Sequence, residues 1–220
     1  SFVGAAVGAA LMGMRPVVEI MFMDFITLAF DQLVNHAAKF YFVYGEPIPM
    51  VLRTPSGGRR GYGPTHSQSL EGVMASIPGL KVVAPSNPSD AKGLLKSAIR
   101  DNNPVVFVEN RILVQVRGEV GDSVVPIGEA SVVRQGGDVT VVAYSAMVPE
   151  AGRAAEALAK KNIDVEVIDL RTLRPLDIDT IIESVRKTGK LVIAEETNAS
   201  GGIAGEIAIR ILEKIRVPIR

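Results

Sequence analysis

The chain alternates between short apolar runs and longer segments in which apolar residues recur every three or four positions. Strand-like runs are predicted at Pro16–Met21 (PVVEIM), Met50–Thr54, Lys81–Ala84 and Pro104–Glu109 (PVVFVE), and again at Asp138–Tyr144, Asp164–Asp169 and Lys190–Glu195. Helix-like stretches lie between them. They are Gly/Ala-rich Phe2–Gly13, then Phe25–Phe42 with Phe25, Leu28, Ala29, Leu33, Ala37 and Phe40 at helical spacing, then Gln68–Ile77, Ser89–Arg100, Pro149–Lys161, Asp177–Thr188 and Gly202–Ile215. Pro55 is expected to stop the second strand, and Ser89 or Asp90 to cap the helix that follows the third. Strands that read as continuous Val/Ile runs separated by helices imply parallel sheets covered on both faces. Gly118–Gly128 reads as a linker. The expected fold class is α/β, with two doubly wound parallel-sheet domains over 1–120 and 121–220.

Composition adds exclusions. With 47% hydrophobic and 22% charged residues, the chain has the balance of a folded α/β protein rather than a disordered one. A formal net charge of zero, with no long run of one sign, gives no footprint for nucleic acid or an anionic membrane surface. The absence of cysteine removes disulfides, thiolate nucleophiles and cysteine-built metal sites, and is compatible with a reducing cytoplasm. The apolar run Phe2–Met14 is too short to span a bilayer and lacks a basic lead-in, so it reads neither as an anchor nor as a secretory signal.

Five features can carry chemistry, each with a bland alternative. Small residues at i, i+4 in the first helix (Gly4 with Gly8, Ala5 with Ala9) allow close packing, within the domain or against a partner chain. Met21 and Phe25 follow a strand exit, where ligands of parallel sheets sit, and can grip a flat heteroaromatic ring or simply belong to the core. Gly57, Gly58, Gly61 and Gly63 surround Arg59 and Arg60 in a loop suited to phosphate, but it is neither a Walker loop nor a dinucleotide fingerprint. That loop ends at His66. If His66 opens the next helix, the positive helix end lowers its proton affinity, and a neutral imidazole can move a proton; otherwise it ties the loop down. His36 reads as structural. Last, Ala98–Pro104 (AIRDNNP) closes a helix, and its free carbonyls with an Asp and an Asn can hold a hard cation; a plain Asp/Asn helix stop explains the same residues. Glu195 and Glu196, adjacent after a strand, point in different directions and take no acid/base role. No Gly-Asp-Gly with a following Asn, the usual thiamine diphosphate and magnesium signature, is present.

In order, the strings RPVVEIMF, FDQLVNHAAKF, RTPSGGRRGYGPTHSQSLE, PGLKVVAPSNPSDAKGLLKSAIRDNNPVVFVEN, VPIGEASVVRQGGDVTVVAYSAMV and DLRTLRPLDIDTI closely resemble the β subunit of the thiamine-diphosphate-dependent 2-oxoacid dehydrogenase decarboxylase component, of the pyruvate or branched-chain type. The resemblance implies a transketolase-like pyrimidine-binding domain followed by a transketolase C-terminal-like domain. It implies an α2β2 assembly in which thiamine diphosphate lies between α and β, with magnesium held mainly by α. Phe25 would stack on the aminopyrimidine and Met21 line its pocket. His66 resembles the histidine at the active-site mouth linked to acyl transfer onto the lipoyl arm of a transacylase core. The AIRDNN turn resembles a structural potassium site, with Ala98, Ile99 and Asp101 giving main-chain oxygen, Asn103 a further ligand and Met50 the matching position on the preceding strand. The implied reaction is decarboxylation of a 2-oxoacid and reductive acylation of lipoamide, in the cytoplasm or, in a eukaryote, the mitochondrial matrix.

The family's glutamate toward the pyrimidine nitrogen would fall just before Ser1, and the family continues past Arg220, so the sequence is expected to be truncated at both ends. Two rival readings are the C-terminal half of a split transketolase-type enzyme and a non-catalytic interaction fragment.

Overall fold

The computed structural model describes residues 2–215. Two sheets carry the fold. The first has strand order β1-β2-β4-β3-β8, from Val17–Glu19 (β1), Val51–Ser56 (β2), Lys81–Val83 (β3), Val105–Asn110 (β4) and Thr172–Arg174 (β8). The second has order β5-β7-β6-β9, from Ser131–Arg134 (β5), Val139–Ala143 (β6), Val165–Asp169 (β7) and Leu191–Ala194 (β9). Each sheet is parallel except for one antiparallel edge strand, β8 in the first and β5 in the second. The sequence pattern missed both edge strands.

β8 comes from the second half of the chain yet pairs with β3 of the first sheet. The halves are therefore stitched rather than merely adjacent. One apolar core runs through both, from Val3, Met23 and Leu52 to Ile168, Ile181 and Ile207. A buried polar cluster secures the stitch. Ser86 donates to the Asp169 carboxylate, which also accepts from the Arg171 amide, while Arg171 Nε donates to Asp90 at 2.9 Å. Burial pushes the Asp169 carboxyl up to about 6 despite these bonds.

The strand β2 runs straight through Pro55 instead of stopping there. Val51 N–H bonds Pro16 and Ile20 N–H bonds Arg53 O, so odd-numbered residues of β2 face β1. The last residue paired with β1 is Arg53. At Pro55 the missing N–H thus points past the end of that neighbour, and the ladder to β4 continues to Ser56.

The segment expected as one helix over 25–42 is broken into a 3-10 stretch at Met23–Ala29, a π turn at Gln32–Ala37 and a short helix, α2, at Phe40–Tyr44. A 3-10 helix repeats every three residues, so Met23, Ile26 and Ala29 share the buried face. Phe25 and Leu28 consequently form an outer row, 39% and 83% exposed. In the first helix, α1 (Phe2–Leu11), Val3, Ala6, Val7 and Ala10 are buried. Gly4 is backed by the Gln32 side chain, whereas nothing stands near Gly8, so the small-residue row packs internally at one end only.

Helix α4 (Pro88–Arg100) is capped by Asn87, whose side chain accepts from the Asp90 amide at 2.9 Å, with Pro88 in the first turn. The cap expected at Ser89 or Asp90 is displaced because Pro, lacking an N–H, fits the first helical position. Asp177 caps α6 (Ile178–Thr188) in the same way, and Gly189 ends it at φ 67°. The remaining helices are α3 (Glu71–Ala75), α5 (Met147–Ala159) and α7 (Ala204–Lys214).

Candidate functional site

Three adjacent strands of the first sheet, β1, β2 and β4, deliver their carboxyl ends to one edge. The chain leaving β1 carries Met21, Phe22 and Phe25; the chain leaving β2 is the Gly57–His66 loop; the chain leaving β4 carries Arg111. Just before the exits, Arg53 lies between two carboxylates, its Nη2 donating to both oxygens of Glu109 at 2.8 and 3.0 Å and its Nη1 to Glu19 at 3.3 Å. This fixes the relative heights of the three strands.

Four aromatic rings gather at that edge. Phe22 is the hub: its ring centroid lies 4.7 Å from His66, 6.1 Å from Tyr62 and 6.4 Å from Phe25, each edge-to-face. Phe25 and His66 are 5.4 Å apart. The Arg111 guanidinium sits 4.7 Å over the Phe22 ring and donates to the Met21 carbonyl at 3.0 Å. Of the predicted ring-gripping pair, Phe25 is on the rim beside His66, while the Met21 side chain, 67% exposed, is held in place through its backbone. Phe22, Tyr62 and Arg111 were not singled out by sequence reasoning. The only signal for Phe22 was its place between Met21 and Phe25.

His66 does not open a helix. The helix expected over 68–77 is the shorter α3, beginning at Glu71, so the positive helix end is too far away to act on the imidazole. Two contacts divert the preceding chain into an extended path: the Gln68 amide to the Asp24 carboxylate at 3.4 Å and the Leu70 amide to Met23 sulfur at 3.0 Å. The Thr65 hydroxyl, 2.9 Å from His66 Nδ1, orients the ring. That leaves Nε2 without a hydrogen-bond partner among the described residues.

Glu195 and Glu196 part company as expected. Glu195 caps α7 through the Ile203 and Ala204 amides at 2.9 and 3.3 Å, and Glu196 turns to the Gly57–His66 loop. Beneath that loop, Glu71 of α3 is buried and accepts from the Tyr144 hydroxyl at 3.2 Å, with its second oxygen unpartnered. Burial, with Glu195 and Glu196 nearby, pushes the Glu71 carboxyl up to about 7; burial likewise pushes the Tyr144 hydroxyl well above its ordinary value.

The oxygen-rich turn after α4 is tightly engaged. Arg15 donates to the carbonyls of Ile99 and Asp101 at 3.0 and 2.9 Å and to the Asn102 side chain at 2.6 Å. The Ala98 carbonyl accepts from the Asp101 amide, Met50 O accepts from the Val105 amide at 3.0 Å, and the Asn103 side chain donates to Asp101 Oδ1 at 2.9 Å. Burial works against the Asp101 charge, but Lys81 and the Asn103 donors outweigh it and hold the carboxyl below its ordinary value. Two of these carbonyls, Ile99 and Asp101, are thus met by the Arg15 guanidinium, and a hard cation at this turn would have to share them with it through their second lone pairs. Among the described residues no group of three or more His, Cys, Asp or Glu side chains is placed to hold a metal. No described helix is long and apolar enough to cross a membrane.

Residues 1–117 match the transketolase pyrimidine binding domain and residues 128–220 the transketolase C-terminal domain. The chain is 46% identical over 217 residues to the pyruvate dehydrogenase E1 component subunit beta of Rickettsia felis, covering 97% of this chain and 67% of that one. The chain belongs to the transketolase-like family of pyruvate dehydrogenase E1 β and acetoin oxidoreductase β subunits. Within that family it is 48% identical over 218 residues to the acetoin:2,6-dichlorophenolindophenol oxidoreductase subunit beta of Cupriavidus necator, covering 97% of this chain and 64% of that one. It is 45% identical to the mitochondrial pyruvate dehydrogenase E1 subunit beta of Dictyostelium discoideum, spanning 62% of its length. Among solved structures, one described as a split gene transketolase, inactive beta4 tetramer, superposes with a TM-score of 0.84 at 27% identity, covering 98% of this chain and 68% of that one. The chain thus spans somewhat under two thirds of the first of its curated relatives.

Proposed function

We propose that the chain is the β half of a thiamine-diphosphate-dependent dehydrogenase that decarboxylates a 2-oxoacid and passes the acyl group to lipoamide, acting only with an α subunit in an α2β2 assembly. The observation that carries this reading is the half-open aromatic wall at the carboxyl edge, where Phe25 and His66 meet 5.4 Å apart. A flat, weakly polar ring fits there. The charged side chains at this edge are engaged within the chain, Arg59 with Glu196 and Glu150 and Arg111 with the Met21 carbonyl and the Phe22 ring, so the ligands of the diphosphate and magnesium are assigned to α. The outward row of Phe25 and Leu28 supplies apolar surface that α would cover.

When bound, thiamine diphosphate supplies the electron sink for decarboxylation. Phe25 would stack on the aminopyrimidine, and Met21 would line its pocket. His66, oriented by Thr65, offers Nε2 to move a proton at the acyl acceptor as the lipoyl domain docks. The turn formed by Ala98, Ile99, Asp101 and Asn103, with Met50 beside it just before the neighbouring strand β2, would hold a structural potassium ion through its oxygens. If it does, replacing potassium by tetramethylammonium lowers the melting temperature, and an unchanged melting temperature refutes it. The domains divide near residue 120, and the compartment is the cytoplasm or the mitochondrial matrix.

The 48% identity to an acetoin oxidoreductase subunit favours a second substrate reading, cleavage of acetoin. Co-expression of the intact gene with its α-type neighbour, followed by dye reduction with thiamine diphosphate, magnesium and either pyruvate, branched-chain 2-oxoacids or acetoin, decides between them. A formed complex with no turnover on any of these refutes the dehydrogenase reading. His66→Ala is expected to retain dye-linked decarboxylation better than lipoyl acylation; equal loss of both refutes the role given to His66.

A further inference from the structure

The Gly57–His66 loop is built by the first half of the chain but held by the second. At the exit of β9, Glu196 is largely buried and its carboxylate takes three donors. Oε1 accepts from the Gly58 amide at 3.1 Å and from Arg59 Nε at 3.2 Å; Oε2 accepts from Asn110 Nδ2 at 2.8 Å. The Asn110 amide is not free to turn, because its Oδ1 accepts from the Ile112 amide at 3.0 Å. Gly57 permits this closure. Its φ of 90° suits glycine, and a Cβ there would collide with Asn110 Nδ2 and lie 3.1 Å from Glu196 Oε2. Arg59 itself sits at φ 64°, a left-handed conformation for a residue with a side chain, held by Glu196 on one side and Glu150 at 3.0 Å on the other.

Beyond this point the loop is steered by a relay. Arg60 donates to the Arg111 carbonyl at 2.7 Å, and Arg111 holds the Met21 carbonyl and covers the Phe22 ring against which His66 lies. Where the loop runs on toward α3, a polar cavity of about 140 Å³ lies between Pro64–Leu70 and Glu196–Asn198. Hydrogen bonds to the second half of the chain thus flank His66 on both sides in sequence, Gly58 and Arg59 donating to Glu196 before it and Thr197 Oγ1 donating to Ser69 O (2.9 Å) after it.

We propose that Glu196 is a positioning residue: from the second domain it sets the height and conformation of the loop that presents His66 to the aromatic wall. This rests on the reading of His66 given above. Glu196→Gln keeps the shape and the acceptor for Gly58 but places a second amide donor against Asn110 Nδ2, and it removes the charge facing Arg59. Adding Asn110→Asp restores complementarity, because an aspartate there accepts from both the new Gln amide and Ile112 N–H.

The test uses the assembled enzyme with its α-type partner and two readouts. The first is tryptic cleavage after Arg59 and Arg60, followed by mass spectrometry. The second is the pair of half-reactions, dye-linked decarboxylation and lipoyl-domain acylation, with kcat and KM separated. Glu196→Gln is expected to speed cleavage about tenfold and to reproduce the pattern of His66→Ala at about a tenfold loss in the affected kcat, with Glu196→Gln/Asn110→Asp recovering both. Unchanged cleavage overturns the proposal. So does faster cleavage with a kinetic pattern unlike that of His66→Ala, or a double variant no better than the single one. Should His66→Ala lose both half-reactions equally, the acyl-transfer reading fails by itself, and Glu196→Gln is then held to that equal pattern.

Discussion

Replacing Glu71 by Gln should make the protein more stable in alkali and leave it unchanged in acid. Glu71 is buried between α3 and the end of β6, and its carboxyl is pushed up to about 7 from an ordinary 4.5. The folded state therefore binds this proton more tightly than the unfolded chain does. The group's contribution to stability is fully present below about pH 4.5, declines through the interval, and is lost above about pH 7. The displacement corresponds to about 3 kcal/mol of cost for holding the ionised carboxylate. Gln keeps the acceptor for the Tyr144 hydroxyl at 3.2 Å but never ionises. Its amide N–H₂ takes the place of an oxygen without a partner, which returns part of the gain. The expected net effect is a variant more stable by about 1–3 kcal/mol near pH 8.5, with the gap closing toward pH 5. Asp169, pushed up to about 6, gives both proteins a slope of the same sign, so it cancels in the difference. Urea denaturation of parent and variant across this range, read by circular dichroism, measures the gap directly. A difference that is constant with pH, or a variant less stable at alkaline pH, refutes the assignment of the penalty to Glu71.

Two further substitutions probe the frame. Asn87→Ala removes the α4 cap and should cost about 1 kcal/mol, whereas Ser89→Ala should be nearly neutral; the reverse order in a denaturant titration would return the cap to Ser89. Gly79→Ala should cost at least about 2 kcal/mol, since Gly79 sits at φ 94° and a Cβ would collide with the Ala38 carbonyl; a melting temperature within about a degree of the parent would show that this turn yields.

The parallel strands were legible because both faces of such sheets are covered, so β4 opens on an unbroken apolar run and β2 and β7 keep Val, Leu and Ile between their few polar residues. The antiparallel edges were not. Ser131–Arg134 and Thr172–Arg174 are three or four residues long and mix polar with apolar, and their pairing is settled by partners far away in sequence. The same limit hid Glu196, which reaches Gly58 across 138 positions, a distance at which local pattern carries no information. His66 and Phe25 were legible as a resemblance, but the reasons for their placement were not. A helix opening at His66 was the physical argument for its chemistry, and the structure puts Asp24 and Met23 in the way of that helix.

The error over 25–42 is the informative one. Read at 3.6 residues per turn, about 100° per residue, Phe25 falls at the margin of the stripe that carries Leu33 and Ala37, and Leu28 falls opposite Ala37, so the helical pattern by itself leaves the place of Phe25 open. Read at the observed three residues per turn, Met23, Ile26 and Ala29 satisfy the core, and Phe25 and Leu28 turn outward beside Phe22 and His66. The three-residue repeat keeps the buried row straight and holds the Phe25 ring on the outer row, at the carboxyl edge beside Phe22 and His66. There the proposed cofactor ring and the proposed α subunit would share it.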